Sequence, residues 1–235
     1  MKFSIKKEVL LEALNKVSKA ISTKNVIPVL AGIKFHLNKK KLTLTASDND
    51  ITIETSIPCD NENIILKEEG SIIIQGKYIL DIVRKLPDEF INIEVVDDLK
   101  ILIYTENSEF NLNGISEKEY PSIELIESKN HIELSKTTLK EIVNQTAFAT
   151  SLDENKAILN GINFNIIGNI LECNATDSYR LARKVINLST TAEENLNIVI
   201  PSKNLVEFTR ILSEGDEKIE VHIFNNKILF KNQNL

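Results

Sequence analysis

Residues 174 to 182 read NATDSYRLA, which sets Thr176 and Asp177 against Arg180 with Ala and Leu on either side. A carboxylate three residues from a guanidinium could belong to a catalytic cluster, to a binding loop, or to a turn between strands. Catalysis would need a nucleophile beside a base, or a metal cluster. The three histidines, His36, His131 and His222, are scattered over strand or linker positions. Cys59 and Cys173 stand far apart with no second pair and no neighbouring histidine, so neither a disulfide framework nor a zinc site is supported and both read as reduced thiols. The chain holds no GxxxxGK[ST], GxGxxG, HExxH or GxSxG pattern. The expectation is therefore a non-catalytic protein with no cofactor and no metal.

With 235 residues, 42% of them hydrophobic, the chain has material for one large domain or two of about 100 to 130 residues. No apolar run approaches the roughly 18 residues of a membrane helix, and MKFSIKKEVL lacks the apolar segment of a signal peptide. A cytoplasmic protein without membrane contact is expected.

Internal repetition organises the sequence. At an offset of 129 residues, LAGIKFHLNKKKLTLTASD (30–48) aligns without a gap on LNGINFNIIGNILECNATD (159–177), and SIKKEVLLEALNKVSKAIS falls on ELSKTTLKEIVNQTAFATS. Further on the offset is 126, and IIIQGKYILDIVRKL meets IVIPSKNLVEFTRIL, pairing Lys77 and Arg84 with Lys203 and Arg210. Two copies of one domain are expected, 1–129 and 130–235.

Hydrophobic period gives the elements of each copy. Leu10, Leu14, Val17 and Ile21 form one helical stripe, and Tyr78, Ile79, Ile82, Val83 and Leu86 a second, stopped by Pro87. Elsewhere the pattern has period 2: Ile33, Phe35 and Leu37; Leu42 and Leu44; Ile51 and Ile53; Ile91, Ile93 and Val95; Ile101 and Ile103; Phe110 and Leu112. The predicted class is α+β, with antiparallel sheets and two helices in each of two tandem domains. SEKEYPSIELIESKNH reads as the linker between them. The copies differ at their ends: KILIYT turns into EFNLNGI, whereas KILFK is followed only by NQNL. The second domain is thus expected to lack its last strands, as in a fragment of a longer protein.

A net charge of −6 disfavours a nucleic-acid partner if only the sum is considered. The distribution is different. Predicted helices 4–22, 77–86, 135–151 and 202–212 together carry +6, which leaves −12 on the rest. Basic helices on an acidic body fit contact with an anionic partner such as DNA, and mixed charge on a solvated helix face, such as Glu12 with Lys16, fits no ligand at all.

The opening segment MKFSIKKEVLLEALNKVSKAIS, the pair LAGIKF and LNGINF, the turn ATDSYRLA and the junction IVIPSKNLVEF resemble the bacterial DNA polymerase III beta subunit family, the DNA sliding clamps. The resemblance runs from Met1 to Leu235. It implies the DNA-clamp fold, three such domains per chain with the third absent here, and two full-length chains closing head to tail as a homodimer ring around double-stranded DNA. The implied role is a processivity factor with no catalysis of its own. Lys24, Lys77, Arg84, Lys203 and Arg210 would contact DNA. Leu159, Thr176, Tyr179, Arg180 and Leu181 would form the pocket for a short hydrophobic peptide, with Thr176 and Arg180 as donors. The implied partners are the DNA polymerase III catalytic subunit, the clamp loader and other clamp-binding replication and repair proteins. Ser178 and Tyr179 depart from the residues common in the family. A protein-interaction module built from a duplicated domain, with no nucleic-acid partner, is the alternative. Asp48 and Asp177, shared by both copies, are expected to close a turn through bonds to backbone N–H groups, whereas the unshared Tyr-Arg-Leu carries whatever is specific to the second copy.

Overall fold

The computed structural model describes residues 1–21, 27–48, 50–97, 99–123, 125–128, 131–153, 155–189, 195–224, 227–232 and 235. Lys24 lies outside them. The chain divides into two compact units, Met1–Ile123 and Glu124–Gln233.

In the first unit, β1 (Lys2–Lys6) leads into α1 (Lys7–Val17), which a 3-10 turn over Ser18–Ala20 prolongs. Strands β2 (Gly32–Leu37), β3 (Lys41–Ser47), β4 (Thr52–Pro58), β5 (Ile64–Glu68) and β6 (Gly70–Gln75) follow. After α2 (Gly76–Lys85) come β7 (Phe90–Val96), β8 (Lys100–Tyr104) and β9 (Glu109–Asn113). They form two antiparallel sheets, β5-β1-β7-β8-β9 and β4-β3-β2-β6. The buried stripe of α1 is Leu10, Ala13, Leu14 and Val17, and that of α2 is Gly76, Ile79 and Val83. Both are covered by the inward side chains of the sheets, among them Ile33, Phe35, Leu42, Leu44, Ile91 and Ile93.

Three boundaries differ from the sequence reading, each for a local reason. The first helix begins at Lys7 and not at residue 4, because Phe3 and Ile5 are both buried on the strand face of β1 while Lys2 reaches across to Glu94 at 2.8 Å. Lys6 therefore belongs to a strand. Ile51 sits in the turn before β4, where its N–H donates to Asp48. Part of the expected linker packs: Tyr120 is buried with Val29, Leu30 and Ile73, and Ile115 exchanges both backbone bonds with Ile73. Burial pushes the Tyr120 phenol up to about 12.

The second unit repeats the plan with β10 (His131–Ser135), α3 (Lys136–Thr146), β11 (Gly161–Ile167), β12 (Ile170–Thr176), β13 (Leu181–Asn187), β14 (Leu196–Pro201), α4 (Ser202–Ile211), β15 (Lys218–Ile223) and β16 (Ile228–Lys231). Its sheets are β13-β12-β11-β14 and, among the described residues, β10-β15-β16. The glycine repeated in LAGIKF and LNGINF opens β2 and β11 where a neighbouring strand comes close. A Cβ on Gly32 would stand 2.4 Å from Ile73 Cγ2, and one on Gly161 2.5 Å from Val199 Cγ1 and 2.7 Å from the Ile200 carbonyl oxygen. Cys173 is buried on β12, which pushes its thiol up to about 12. Among the described residues no helix is long and apolar enough to cross a membrane.

Candidate nucleic-acid and peptide interfaces

The turn between β12 and β13 is built by two side chains. Asp177 Oδ1 accepts the amides of Tyr179 and Arg180, both at 3.0 Å. Thr176 Oγ1 accepts the amide of Ser178 at 3.1 Å and donates to the Arg180 carbonyl at 2.7 Å. Ser178 adopts the left-handed backbone, φ 82°, a conformation that favours glycine and Asn or Asp. In the first unit Asp48 Oδ1 accepts the amides of Asp50 at 3.2 Å and Ile51 at 3.0 Å. The aspartate common to both copies is thus a turn-closing acceptor. The hydroxyl of Thr176 is engaged within its own loop.

What the second copy adds is exposure and charge. Tyr179 is 96% exposed and Leu181 68%. Arg180 is held on two sides: Nε donates to Asp177 Oδ2 at 3.0 Å, and the guanidinium lies 5.6 Å from the centre of the Phe148 ring. The two backbone amides, and then the Arg180 side chain, keep the Asp177 carboxyl below its ordinary value. Leu159 is half-buried, and its carbonyl accepts the Ser151 amide at 2.8 Å. The β11–β12 register sets Asn163 opposite Asn174; continued two residues outward it brings Gly161 beside Thr176, so Leu159 lies at the turn's end of the sheet. Phe148, Leu152 and Ile158 are further exposed apolar side chains in this stretch of the chain. The sequence reading missed Phe148; its signal was an aromatic directly after the apolar stripe of α3.

The helices sort their charges by use. On α2, Lys77, Arg84 and Lys85 are exposed, and among the described residues Arg84 Nη2 donates only to the neutral Asn15 Oδ1, at 3.3 Å. On α4, Lys203 is exposed and Arg210 is ion-paired with Glu207. Lys136, counted above as helix surface charge, is 2% exposed and paired with Glu217, with Ser213 Oγ at 2.8 Å. Lys140 donates to the Leu212 carbonyl at 3.3 Å, and Lys7 to that of Leu86. With the helix bounds observed, α1 with its 3-10 turn carries +1, α2 +2, α3 +1 and α4 +1, which leaves −11 on the rest of the chain. Among the described residues, Glu127, Glu220 and His222 form a cluster with metal-ligand chemistry. It already holds a cation, Lys231 Nζ, 2.8 Å from Glu127 and 3.6 Å from Glu220.

Two copies of an α+β frame, each with paired antiparallel sheets and two helices, define a tandem-repeat protein of the DNA-clamp fold. The family model described as DNA polymerase III beta subunit, N-terminal domain, matches residues 1–124, and that described as its central domain matches residues 133–235. The chain belongs to the DNA polymerase III beta subunit family. It is 41% identical to the beta sliding clamp of Halalkalibacterium halodurans, over all of this chain and 63% of that protein, and 38% identical to that of Bacillus subtilis, again over 63% of its length. The crystal structure of the DNA polymerase sliding clamp from Bacillus subtilis superposes with a TM-score of 0.96, covering 100% of this chain and 62% of that one. The chain thus spans under two thirds of the relatives it matches.

Proposed function

We propose that this chain supplies two domains, 1–129 and 130–235, of a DNA sliding clamp that encircles double-stranded DNA and tethers the DNA polymerase III catalytic subunit, without chemistry of its own. The observation that carries this reading is the 41% identity to a beta sliding clamp over the whole chain. The ring needs a further domain of the same frame and a second full-length copy as homodimer partner. Lys24, Lys77, Arg84, Lys203 and Arg210 contact phosphates. Such contacts hold DNA without reading sequence, so the closed ring slides, and the tethered polymerase gains effective concentration. The Tyr179–Leu181 turn with Leu159 takes a short hydrophobic peptide of the polymerase, the clamp loader and other replication and repair proteins. Arg180 is its fixed donor and Thr176 braces the loop. A clamp on replicating bacterial DNA works in the cytoplasm.

The test uses the full-length protein on nicked circular DNA. Reversing Lys77 and Arg84 is expected to weaken retention and to lower the salt slope by about one unit per lost phosphate contact. The double variant Tyr179→Ala, Leu181→Ala is expected to lose a partner peptide that the wild type binds in the micromolar range, about −8 kcal/mol, with ring retention intact. Retention independent of salt and of both variants would reject the reading.

A further inference from the structure

One exposed side chain on α2 has no part in phosphate contact. At 3.6 residues per turn, the buried Gly76, Ile79 and Val83 define one side of the helix. Asp81 and Lys85 centre the opposite side. Lys77 and Arg84 flank them on one edge, and Tyr78 lies on the other, on the same side as Lys85 but two turns, about 10 Å, before it along the axis. Tyr78 is 56% exposed. Among the described residues its ring and hydroxyl have no hydrogen bond or ring contact, and Lys77 and Lys85 have no ion-pair partner.

A single exposed aromatic is ordinary on a protein surface; its setting here is not. Three cations and one carboxylate share the ten residues of α2. That field selects against basic and plain apolar partners and favours a polyanion. Asp81 keeps phosphate from the middle of the face, so the Lys77–Arg84 edge is left for backbone, and the Tyr78 edge offers an uncharged ring with the Lys85 ammonium about 10 Å further along the helix. An aromatic ring with a cation about 10 Å along the same edge suits a single strand, one base of which stacks while a phosphate further along is neutralised. Paired bases have their faces covered by neighbours in the duplex, so only an unpaired base can stack. At the corresponding place α4 has Asn204, on a helix whose Arg210 is already paired with Glu207.

We propose that the Tyr78–Lys85 edge of α2 binds an unpaired base of single-stranded DNA adjoining a duplex. This rests on the DNA-binding reading above and adds to it a preference for DNA with a single-stranded tail.

The experiment measures fluorescence anisotropy of labelled DNA with the 235-residue chain at low salt. The two probes are a blunt duplex and the same duplex with an overhang of about ten thymidines. The overhang is expected to strengthen binding. Tyr78→Ser is expected to remove that gain, about fivefold, the low end of what one base–aromatic stack supplies, and to leave the blunt duplex unchanged. Tyr78→Phe retains the gain, and Lys85→Ala reduces it. An overhang that adds nothing, or a Tyr78→Ser loss equal on both probes, overturns the proposal. Lys77→Glu with Arg84→Glu separates the two readings, since it should weaken both probes alike. If both remain unaffected, the DNA-binding reading falls, and this inference with it.

Discussion

In the first unit the cations of α2 stay exposed, whereas in the second unit most helix cations are engaged within the protein. Lys7 opens α1 and reaches the carbonyl of Leu86 just past α2. Lys136, at the same place in α3, is buried against Glu217 and Ser213. The carbonyl of Leu212, the counterpart of Leu86, is reached instead by Lys140, one helical turn later. Thus α2 keeps Lys77, Arg84 and Lys85 exposed, while α4 offers Lys203 and an Arg210 paired with Glu207. The turns divide in the opposite sense. Asp48 and Asp177 close them alike, but the second unit alone surrounds its turn with exposed Tyr179, Leu181 and Phe148. Duplication kept the frame and separated the surfaces: exposed helix cations without a carboxylate partner among the described residues are concentrated in α2 of one copy, exposed apolar side chains around the turn in the other.

The strongest test of this contrast is Lys136, buried against a half-exposed Glu217. Glu217→Gln leaves the Lys136 ammonium buried without a counter-charge and is expected to destabilise the second unit by about 3 kcal/mol. Lys136→Met removes the charge as well and should cost much less, because an apolar replacement of a buried ion pair is often near neutral. Amide exchange in β10 and β15 against β1 and β7 reads the two units separately, and equal loss in both would break the comparison. Next in size are the repeated glycines. Gly161→Ala drives its Cβ against the backbone oxygen of Ile200 at 2.7 Å, which cannot swing aside. Gly32→Ala meets a side-chain methyl of Ile73, with the nearest backbone atom at 3.2 Å. Costs of about 3 and about 1 kcal/mol are expected, and thermal melts that rank them the other way would refute the argument.

The frame was legible in the sequence because repetition and hydrophobic period are local signals. The 129-residue offset, the alternation in β2, β7 and β8 and the centres of both helical stripes survive in the structure. But Tyr78, read into the stripe of the second helix, is exposed because it lies off the Ile79–Val83 side, Ile21 falls beyond α1, and β3 is buried on both faces. What escaped depends on distant partners. Nothing near Lys136 announces Glu217, 81 residues on, so a buried lysine read as surface charge. Tyr120 looked like linker because its cover, Val29, Leu30 and Ile73, comes from far upstream. Lys6 was assigned to a helix since Phe3 and Ile5 give only two beats of a strand. The loop role of Thr176 was hidden for another reason: a hydroxyl can face a ligand or its own backbone, and sequence does not distinguish them.

The smallest expected effect lies in the Asp177 turn, and it concerns pH. The amides of Tyr179 and Arg180, with the Arg180 guanidinium adding to them, hold this carboxyl below its ordinary value of 3.8. A lowered folded-state value means that the unfolded chain binds the proton first as pH falls. The stabilisation is therefore fully present at neutral pH and is lost only as pH drops below 3.8 and through the folded value. From pH 8 to about 5 the amide resonances of Tyr179 and Arg180 should stay fixed, moving together only in acid. Asp177→Asn keeps an oxygen acceptor for both amides and removes the charge, so the turn should persist while Arg180 retains Phe148 alone. Asp177→Ala should open the turn and speed exchange at both amides. Asp48→Ala supplies the control in the other copy: its turn should loosen at Asp50 and Ile51 without any change at an arginine. A Tyr179 amide that titrates near neutral pH, or that is indifferent to Asp177→Ala, would show that this aspartate does not hold the loop.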